Sequence, residues 1–188
     1  MALIFPAEFM GETSKARARR EREGWFEKYA PANKPGIDIA CGHDPLNDSF
    51  QRWDKEFGDG DATILAGVPP NTFYTVYASH VLEHLTNARQ AIARWYEVLQ
   101  PGGHLIILVP HRDLYEQRTE LPSFNPDHLS FWLPDQEEPP DTKSLKKEVL
   151  ETIPEAQIVI LRILDEQFIP GMCHPYNEYS IEMIVRKP

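Results

Sequence analysis

The chain has 188 residues and a hydrophobic fraction of 41%, which suits one globular domain with a sizeable core. Its 29 acidic and 19 basic residues give a net charge of −10, so nucleic acid and anionic membrane surfaces are poor default partners. The two cysteines lack a CxxC spacing, which disfavours a disulfide scaffold and fits a reducing cytoplasm.

Helix and strand patterns alternate along the first part of the chain. Residues 14–29 favour a helix, with Ser14 as its N-cap and Pro31 as its stop. Residues 36–42 are a short apolar run that ends in glycine, which predicts a buried strand opening into a loop. A second strand is predicted at residues 49–55.

The strongest periodic signals lie in the middle of the chain. Residues 73–79 predict a third strand, and residues 80–85 the turn and helix that follow it. Residues 87–100 predict an amphipathic helix, which a Pro-Gly-Gly segment at 101–103 should end. Residues 104–110 contain the run LIILV, which is the clearest buried-strand signal in the chain.

The last part of the chain begins with a long irregular stretch. Residues 112–140 are proline-rich and polar, and a stretch of this length without periodicity is usually functional or mobile. A short helix is predicted at 144–152, and strands at 157–164 and 179–186. This order predicts an α/β fold, namely a Rossmann-like, mostly parallel sheet with helices on both faces and an antiparallel C-terminal edge. Such sheets bind ligands at the carboxyl ends of their strands.

The loop after the first strand carries the first chemical signal. Gly42 ends the run GIDIACG and lets the backbone approach a ligand without a Cβ in the way, while Asp38 lies inside the strand. A dinucleotide site needs three glycines here, whereas this loop has one glycine and the acid Asp44. An acid repels a pyrophosphate and can accept from an ammonium group, so a zwitterion fits better than NAD. An ordinary strand-to-turn glycine explains the run equally well.

Five segments in order resemble motifs of the class I S-adenosylmethionine-dependent methyltransferases, in a short form similar to types 11 and 12. They are GIDIACG (36–42), WD (53–54), GDA (60–62), NTFYTVYASHVLEHL (71–85) and LQPGGHLIILV (99–109). The resemblance implies one methyltransferase domain over residues 1–188. Its parts would be a cofactor-binding core (14–111), an acceptor-recognition insert (112–140) and a C-terminal helix with strands (141–188).

The resemblance also implies roles for individual residues toward S-adenosylmethionine. Ala40, Cys41 and Gly42 would pass close to the methionine part, and Asp38 would hold that loop and the amino group. Asp54 would bind the ribose hydroxyls, with Glu56 and Asp59 as close competitors. Asp61 and Ala62 would bind the adenine, and Ser79 and His80 would line the floor of the site.

Three features depart from the family pattern. Ala40 and Asp44 stand where glycines are usual, and the interval between Asp54 and Asp61 leaves no room for the usual helix and third strand. Some short members of the family shorten this region. We therefore interpret the short interval as compaction rather than as loss of the site.

The segment HVLEH at 80–84 also matches the inverted zinc-protease pattern. Two histidines four apart on a helix can share a metal ion. However, the segment follows a strand and nothing downstream supplies an obvious helical carboxylate, so we expect no metal site. Glu83 and His84 are expected to orient the loop and the following helix.

Residues 112–140 are expected to recognise the methyl acceptor. His111 and His128 are the candidate general bases, because an imidazole titrates near neutral pH. Tyr115, Phe131 and Trp132 could wall an acceptor pocket, or they could cap the core. The stretch NPDHLSFW at 125–132 is similar to segments of methyltransferases encoded near polysaccharide genes. The expected acceptor is therefore a small molecule or a glycan.

Two other function classes stay open at this point. A nucleotide-dependent oxidoreductase is disfavoured by the missing glycine pattern, and a non-catalytic module with this fold is favoured by Ala40 and Asp44. We expect no membrane span, since no apolar run approaches the ~20 residues that one requires. A homodimer is left open as the assembly.

Overall fold

The computed structural model describes residues 11–166, 168 and 178–188. The predicted loop around Gly171, together with Cys173, lies outside these residues. The α-helices are α1 (Glu12–Lys15), α2 (Arg17–Arg22), α3 (Trp25–Tyr29), α4 (Ala88–Val98) and α5 (Leu145–Thr152). The strands are β1 (Gly36–Ile39), β2 (Gln51–Trp53), β3 (Phe73–Ser79), β4 (Leu99–Pro110), β5 (Phe131–Leu133), β6 (Thr142–Ser144), β7 (Gln157–Leu164) and β8 (Ser180–Arg186). None of the helices in the described residues has the length and apolar character that a membrane span requires.

Six strands form the main sheet in the order β2-β1-β3-β4-β8-β7. The four strands β2, β1, β3 and β4 run parallel to one another, and β8 is antiparallel to both β4 and β7. The predicted mostly parallel sheet is confirmed. Its antiparallel strand lies between β4 and the edge strand β7, and a small second sheet pairs β5 with β6.

Helices cover both faces of the main sheet, because alternate residues of a strand point to opposite faces. Val76 of β3 and Ile107 of β4 belong to the core that includes α4 and α5. Tyr77 and Ile106, their chain neighbours, belong to a second core that includes Trp25 of α3. The prediction of helices on both faces is therefore confirmed.

The connection between β1 and β2 contains no helix. Residues 40–50 form only turns and bends, although parallel strands are usually joined through a helix. Leu46 and Phe50 of this connection are buried against Trp25 in the second core. The N-terminal helices therefore cover the face that a crossover helix would otherwise cover.

Several predicted boundaries at the N-terminal end are wrong. The helix predicted over 14–29 is interrupted at Gly24, whose φ of +60° is a left-handed conformation that glycine adopts readily. Ser14 lies inside α1, whose N-cap is Gly11. The backbone N–H and hydroxyl of Ser14 instead donate to the carboxylate of Asp44, which ties α1 to the loop after β1.

Two further boundaries differ from the predictions. The Pro-Gly-Gly segment at 101–103 lies inside β4 and does not end α4, which already stops at Val98. The predicted helix in 80–85 is only a 3₁₀ turn, Leu82–His84. Another 3₁₀ turn, Lys55–Phe57, follows β2 in the region interpreted as compaction.

A buried polar network fastens the N-terminal helices to the sheet. Glu182 of β8 is fully buried and accepts from Nε1 of Trp25 at 3.1 Å. It also accepts from Nε of Arg162 in β7 at 2.8 Å. Nearby, Arg19 of α2 donates through Nε to Glu178 at 2.8 Å. Because these pairs join helices to the two C-terminal strands, they fix how α2 and α3 lie on the sheet.

The variant Glu182→Gln tests this network. We expect it to lower the free energy of unfolding by about 1–3 kcal/mol, because a buried charge-assisted acceptor is lost. The control Glu166→Gln removes an exposed ion pair with Arg22 and should cost less than about 1 kcal/mol. Urea denaturation measures both values. Equal losses in the two variants would show that the network does not fasten the helices.

Candidate functional site

A cavity of about 670 Å³ opens at the carboxyl ends of β1, β2 and β3. Its volume lies in the range typical of small-molecule sites, and this is the edge where open α/β sheets bind ligands. Of the residues predicted to bind the cofactor, Ala40, Gly42, Asp54, Asp61, Ala62 and His80 line the cavity.

Gly42 and Asp54 meet at the cavity. The N–H of Gly42 donates to Oδ2 of Asp54 at 2.9 Å, and the N–H of Glu56 donates to Oδ1 at 2.8 Å. Gly42 has a φ of +50°, and a Cβ built on it would meet no atom within 4 Å. A ligand can therefore approach this backbone closely. The competitor Asp59 instead accepts from the backbone N–H of Asp54 at 3.0 Å.

Both departures from the family glycines have a structural explanation. Ala40 adopts a φ of +54°, which is the left-handed conformation that glycine would adopt, and its N–H donates to the carbonyl of Trp53 at 2.7 Å. Asp44 binds the backbone and hydroxyl of Ser14. Neither residue therefore blocks the cavity, and Asp44 serves to hold α1.

The cavity is lined mainly by acidic side chains. Four carboxylates line it, from Asp54, Glu56, Asp61 and Asp127, against one cation, Lys55. This charge attracts a cationic ligand and repels a pyrophosphate. In addition, no helix begins between residues 40 and 50, so the loop lacks the helix N-terminus on which dinucleotide sites place a pyrophosphate.

Three predicted cofactor residues, Asp38, Cys41 and Ser79, do not line the cavity. Asp38 is 2% exposed and accepts from the N–H of Leu46 at 2.7 Å, which holds the loop after β1. Burial raises the pKa of Asp38 to about 7. Burial, with the carboxylates of Asp38 and Asp54, raises the pKa of the Cys41 thiol to about 11. The Cys41 thiol therefore stays protonated, which does not suit a nucleophile.

The loop assigned to adenine is held by α4. The side chain of Asp61 is exposed and its Oδ1 accepts from the N–H of Thr63 at 2.7 Å. The carbonyl of Ala62 accepts from Nε1 of Trp95 at 2.8 Å, and Arg94 donates to carbonyls of the same loop. The loop is thus positioned before any ligand arrives.

His80 lines the cavity directly after β3, whereas Ser79, the last residue of that strand, does not. The buried Oγ of Ser79 has no hydrogen-bond partner among the described residues. His80 has a φ of +56°, and its Nε2 lies 2.8 Å from Oγ of Ser180. Burial lowers the pKa of His80 to about 4, so this imidazole is neutral at physiological pH.

Residues 112–140 bring His128 and Tyr115 together. His128 is 4% exposed, and its Nδ1 lies 2.5 Å from Oε1 of Glu116. The hydroxyl of Ser123 donates to the other oxygen of Glu116. Tyr115 stacks on His128 with ring centroids 5.5 Å apart, and His84 meets His128 edge-on at 4.7 Å. The Glu116 carboxylate holds the His128 proton on Nδ1 and leaves Nε2 as the basic nitrogen.

The other predicted acceptor-side residues lie deeper. Nδ1 of His111 accepts from the N–H of Asp113 at 3.1 Å, at the start of the π-helical turn Arg112–Glu116. Its basic nitrogen is therefore engaged with the backbone, and burial lowers the pKa of His111. Phe131 and Trp132 are 1% and 0% exposed and pack in the interior. They therefore present no surface to a ligand.

Sequence reasoning did not assign site roles to Trp53, Glu83 or Glu116. Trp53 lines the cavity, and its buried Nε1 has no partner among the described residues; its place directly before Asp54 was the available signal. Glu83 is fully buried, and burial raises the pKa of its carboxyl well above the ordinary value. Glu116 gave no signal, because its partner His128 is twelve residues away in a stretch without periodicity.

The sheet order, the antiparallel β8 and the cavity at the strand ends define a Rossmann-like, mostly parallel α/β fold. Residues 24–107 match the sequence model of the family described as a methyltransferase domain. Over that segment, which is 84 of the 188 residues, the chain is similar to this methyltransferase family.

One curated relative is similar to part of the chain. The chain is 33% identical to the ubiquinone/menaquinone biosynthesis C-methyltransferase UbiE of Teredinibacter turnerae over 90 residues. The matched region is 46% of this chain and 36% of the relative, so the chain spans about a third of that relative.

Solved structures of low identity share the fold. A SAM-dependent methyltransferase from Archaeoglobus fulgidus has a TM-score of 0.54 at 14% identity, covering 95% of this chain and 96% of that one. The [4+2]-cyclase SpnF has a TM-score of 0.55 at 14% identity, covering 98% and 86%. At these identities the likeness shows the fold alone.

The buried carboxyl of Asp38 should make folding depend on pH. Between about pH 4 and about pH 7 the unfolded chain has released this proton and the native protein retains it, so the free energy of unfolding falls as the pH rises. The decline is at most about 1.4 kcal/mol per pH unit. Asp38→Asn removes the titrating carboxyl group. Urea denaturation at several pH values should therefore show the wild type losing stability relative to the variant as the pH rises. A difference that stays constant across this range would contradict the assignment.

Proposed function

We propose that this chain transfers a methyl group from S-adenosylmethionine to a small-molecule or glycan acceptor. The observation that carries the proposal is the acidic cavity at the carboxyl ends of β1, β2 and β3, in a chain whose residues 24–107 match the methyltransferase-domain family. The family is S-adenosylmethionine-dependent, and a cationic sulfonium is compatible with the carboxylates that line this cavity.

The residues around the cavity fit this cofactor. Trp53 lines the cavity with an unpartnered Nε1, and the open space beside Gly42 admits a ligand against the backbone. Asp54 would hold the ribose hydroxyls. The remaining cofactor contacts would come from Ala40, Asp61, Ala62 and His80, while Asp38 would hold the loop that carries Cys41 and Gly42.

S-adenosylmethionine supplies a methyl group that its sulfonium has already activated. The chain's main task is therefore to align the acceptor with that methyl, at about 3–3.5 Å. A proton must also leave if the acceptor is a hydroxyl or a protonated amine. His128, whose tautomer is fixed by Glu116, is better placed for this than His111, whose Nδ1 is held by the backbone of Asp113.

The acceptor would be recognised by residues 112–140. Tyr115 stacks beside His128 and gives this side of the site an aromatic face, which suits the apolar face of a sugar or another ring. The stretch at 125–132, similar to segments of methyltransferases encoded near polysaccharide genes, contains His128. Sugars are therefore the first acceptors to test.

The two rival functions are less well supported by the site. A dinucleotide oxidoreductase would place an anion in a cavity lined mainly by carboxylates. A non-catalytic module was favoured by Ala40 and Asp44, yet Ala40 keeps the backbone conformation of a glycine and Asp44 holds α1.

Calorimetric titration tests the cofactor assignment. We expect micromolar binding of S-adenosylmethionine and S-adenosylhomocysteine, and no binding of NAD, because the cavity is acidic and lacks a pyrophosphate site. A well-folded sample that binds neither S-adenosyl compound would contradict the proposal. Binding would then justify a screen of hydroxylated acceptors, sugars first, with methylated product detected by mass spectrometry.

The variant Asp54→Ala tests the geometry of the cofactor site. We expect it to weaken S-adenosylhomocysteine binding by about 1–3 kcal/mol, since a nearly buried acceptor is removed from the cavity. Asp48→Ala is the matched control, because its side chain is 98% exposed and lies outside the cavity. Unchanged affinity in a folded Asp54→Ala protein would mean that the ribose position is misassigned.

A further inference from the structure

Glu83, His84 and His128 converge beside the cofactor cavity. One potential ligand atom from each residue lies within 4.8 Å of the others. Glu83 and His84 belong to the 3₁₀ turn after β3, and His84 itself lines the cavity. His80, the first histidine of the HVLEH pattern, is not in this cluster, and its Nε2 lies 2.8 Å from Oγ of Ser180. The set is therefore different from the protease-like one that the sequence pattern suggests.

The carboxylate of Glu83 is unsatisfied where it lies. It is fully buried, and neither oxygen has a hydrogen-bond partner among the described residues. Nδ1 of His80 lies 3.8 Å from its Oε1 and Nε2 of His84 lies 3.9 Å from the same oxygen, and both distances are too long for a hydrogen bond. A buried carboxylate without a partner is costly, so its retention needs an explanation.

The two histidines of the cluster are oriented by hydrogen bonds at Nδ1, as histidines that bind a metal usually are. Nδ1 of His84 lies 3.0 Å from the carbonyl of Asp127, and Nδ1 of His128 lies 2.5 Å from Glu116. Histidines that bind a metal nearly always donate their other ring N–H to a carbonyl or carboxylate in this way. Both contacts place the proton on Nδ1 and leave Nε2 for a ligand.

We propose that Glu83, His84 and His128 bind one divalent transition-metal ion, of which zinc is the representative example. Two imidazole nitrogens and one carboxylate oxygen suit such an ion, and three protein ligands leave a coordination position open. Bonds of about 2.0–2.2 Å would bring the ligand atoms to about 3.4 Å from one another, so the side chains would close by about 1 Å. His84, with 35% of its side chain exposed, lies on the open side.

This inference rests on the proposed function and specifies its acceptor as a hydroxyl compound. An acceptor hydroxyl in the open position would lose its proton to solvent more readily, because the ion stabilises the oxyanion. The acceptor oxygen then forms the O–CH₃ bond as the methyl–sulfur bond breaks, and that electron pair stays on sulfur. Because the lone pair on Nε2 of His128 binds the ion, His128 does not take the proton itself. The ion instead promotes loss of the proton to solvent.

Zinc titration of the metal-free protein tests the site. We expect one zinc ion per chain with micromolar or tighter affinity, and cobalt(II) should give visible d–d absorption from a site of low coordination number. Glu83→Gln and His84→Gln should each weaken zinc binding at least about 100-fold. Glu116→Gln, which only loosens the orientation of His128, should weaken it about 10- to 100-fold. His43→Gln, which removes an exposed histidine outside the cluster, should bind as the wild type does.

Stability of the metal-free variants separates this role from a structural one. Glu83→Gln should leave the metal-free melting temperature unchanged or raise it, because it replaces an unpartnered acid, and zinc should no longer raise that temperature. A structural role predicts a loss of stability without metal. The proposal is overturned if the wild type binds no zinc. It is also overturned if Glu83→Gln binds zinc as well as His43→Gln does.

Titration with S-adenosylhomocysteine on the same samples keeps the two proposals apart. A protein that binds S-adenosylhomocysteine but no zinc refutes the metal site and leaves His128 as the direct base. A protein that binds neither refutes the cofactor assignment as well. Zinc binding that survives in Asp54→Ala, with S-adenosylhomocysteine binding weakened, supports two adjacent and separate sites.

Discussion

Tyr77 and Ile106 point away from α4 and α5, so they need an apolar cover on the far side of the sheet. The connection between β1 and β2 contains no helix that could supply it. The cover comes instead from the N-terminal segment, through Trp25 of α3, and it must be fastened because α1, α2 and α3 are each too short to be stable alone. Two hydrogen bonds fasten it: Trp25 donates to Glu182 on one side, and Ser14 donates to Asp44 on the other.

This arrangement also positions the site. Asp44 belongs to the same loop as Gly42, and Asp38 holds that loop from below through the N–H of Leu46. On the other side of the cavity, Trp95 of α4 holds the loop that contains Ala62. The polar groups of the cavity are therefore set by contacts formed on folding, which lowers the ordering cost of binding a ligand.

The sequence predicted the sheet and the cofactor side better than the acceptor side. The apolar runs of β3 and β4 and the loop after β1 are local patterns, so both the strands and the lining residues Gly42 and Asp54 could be predicted. The pairing of Glu116 with His128, and of Glu83 with His84 and His128, depends on tertiary contacts that no local period encodes. Ser14 was misassigned for the same reason, because a cap-forming hydroxyl bound a distant carboxylate instead.

The position of β8 has a consequence for how the chain folds. β1 and β2 are close in sequence, and their pairing closes a short loop. β8, the last strand in the sequence, inserts between β4 and β7 and pairs Arg186 with His104. Contacts of such high sequence separation form slowly, because the loop-closure entropy must be overcome before they stabilise the chain. Docking of β8 is thus expected to limit the folding rate, and a chain that lacks it would expose two unpaired strand edges to aggregation.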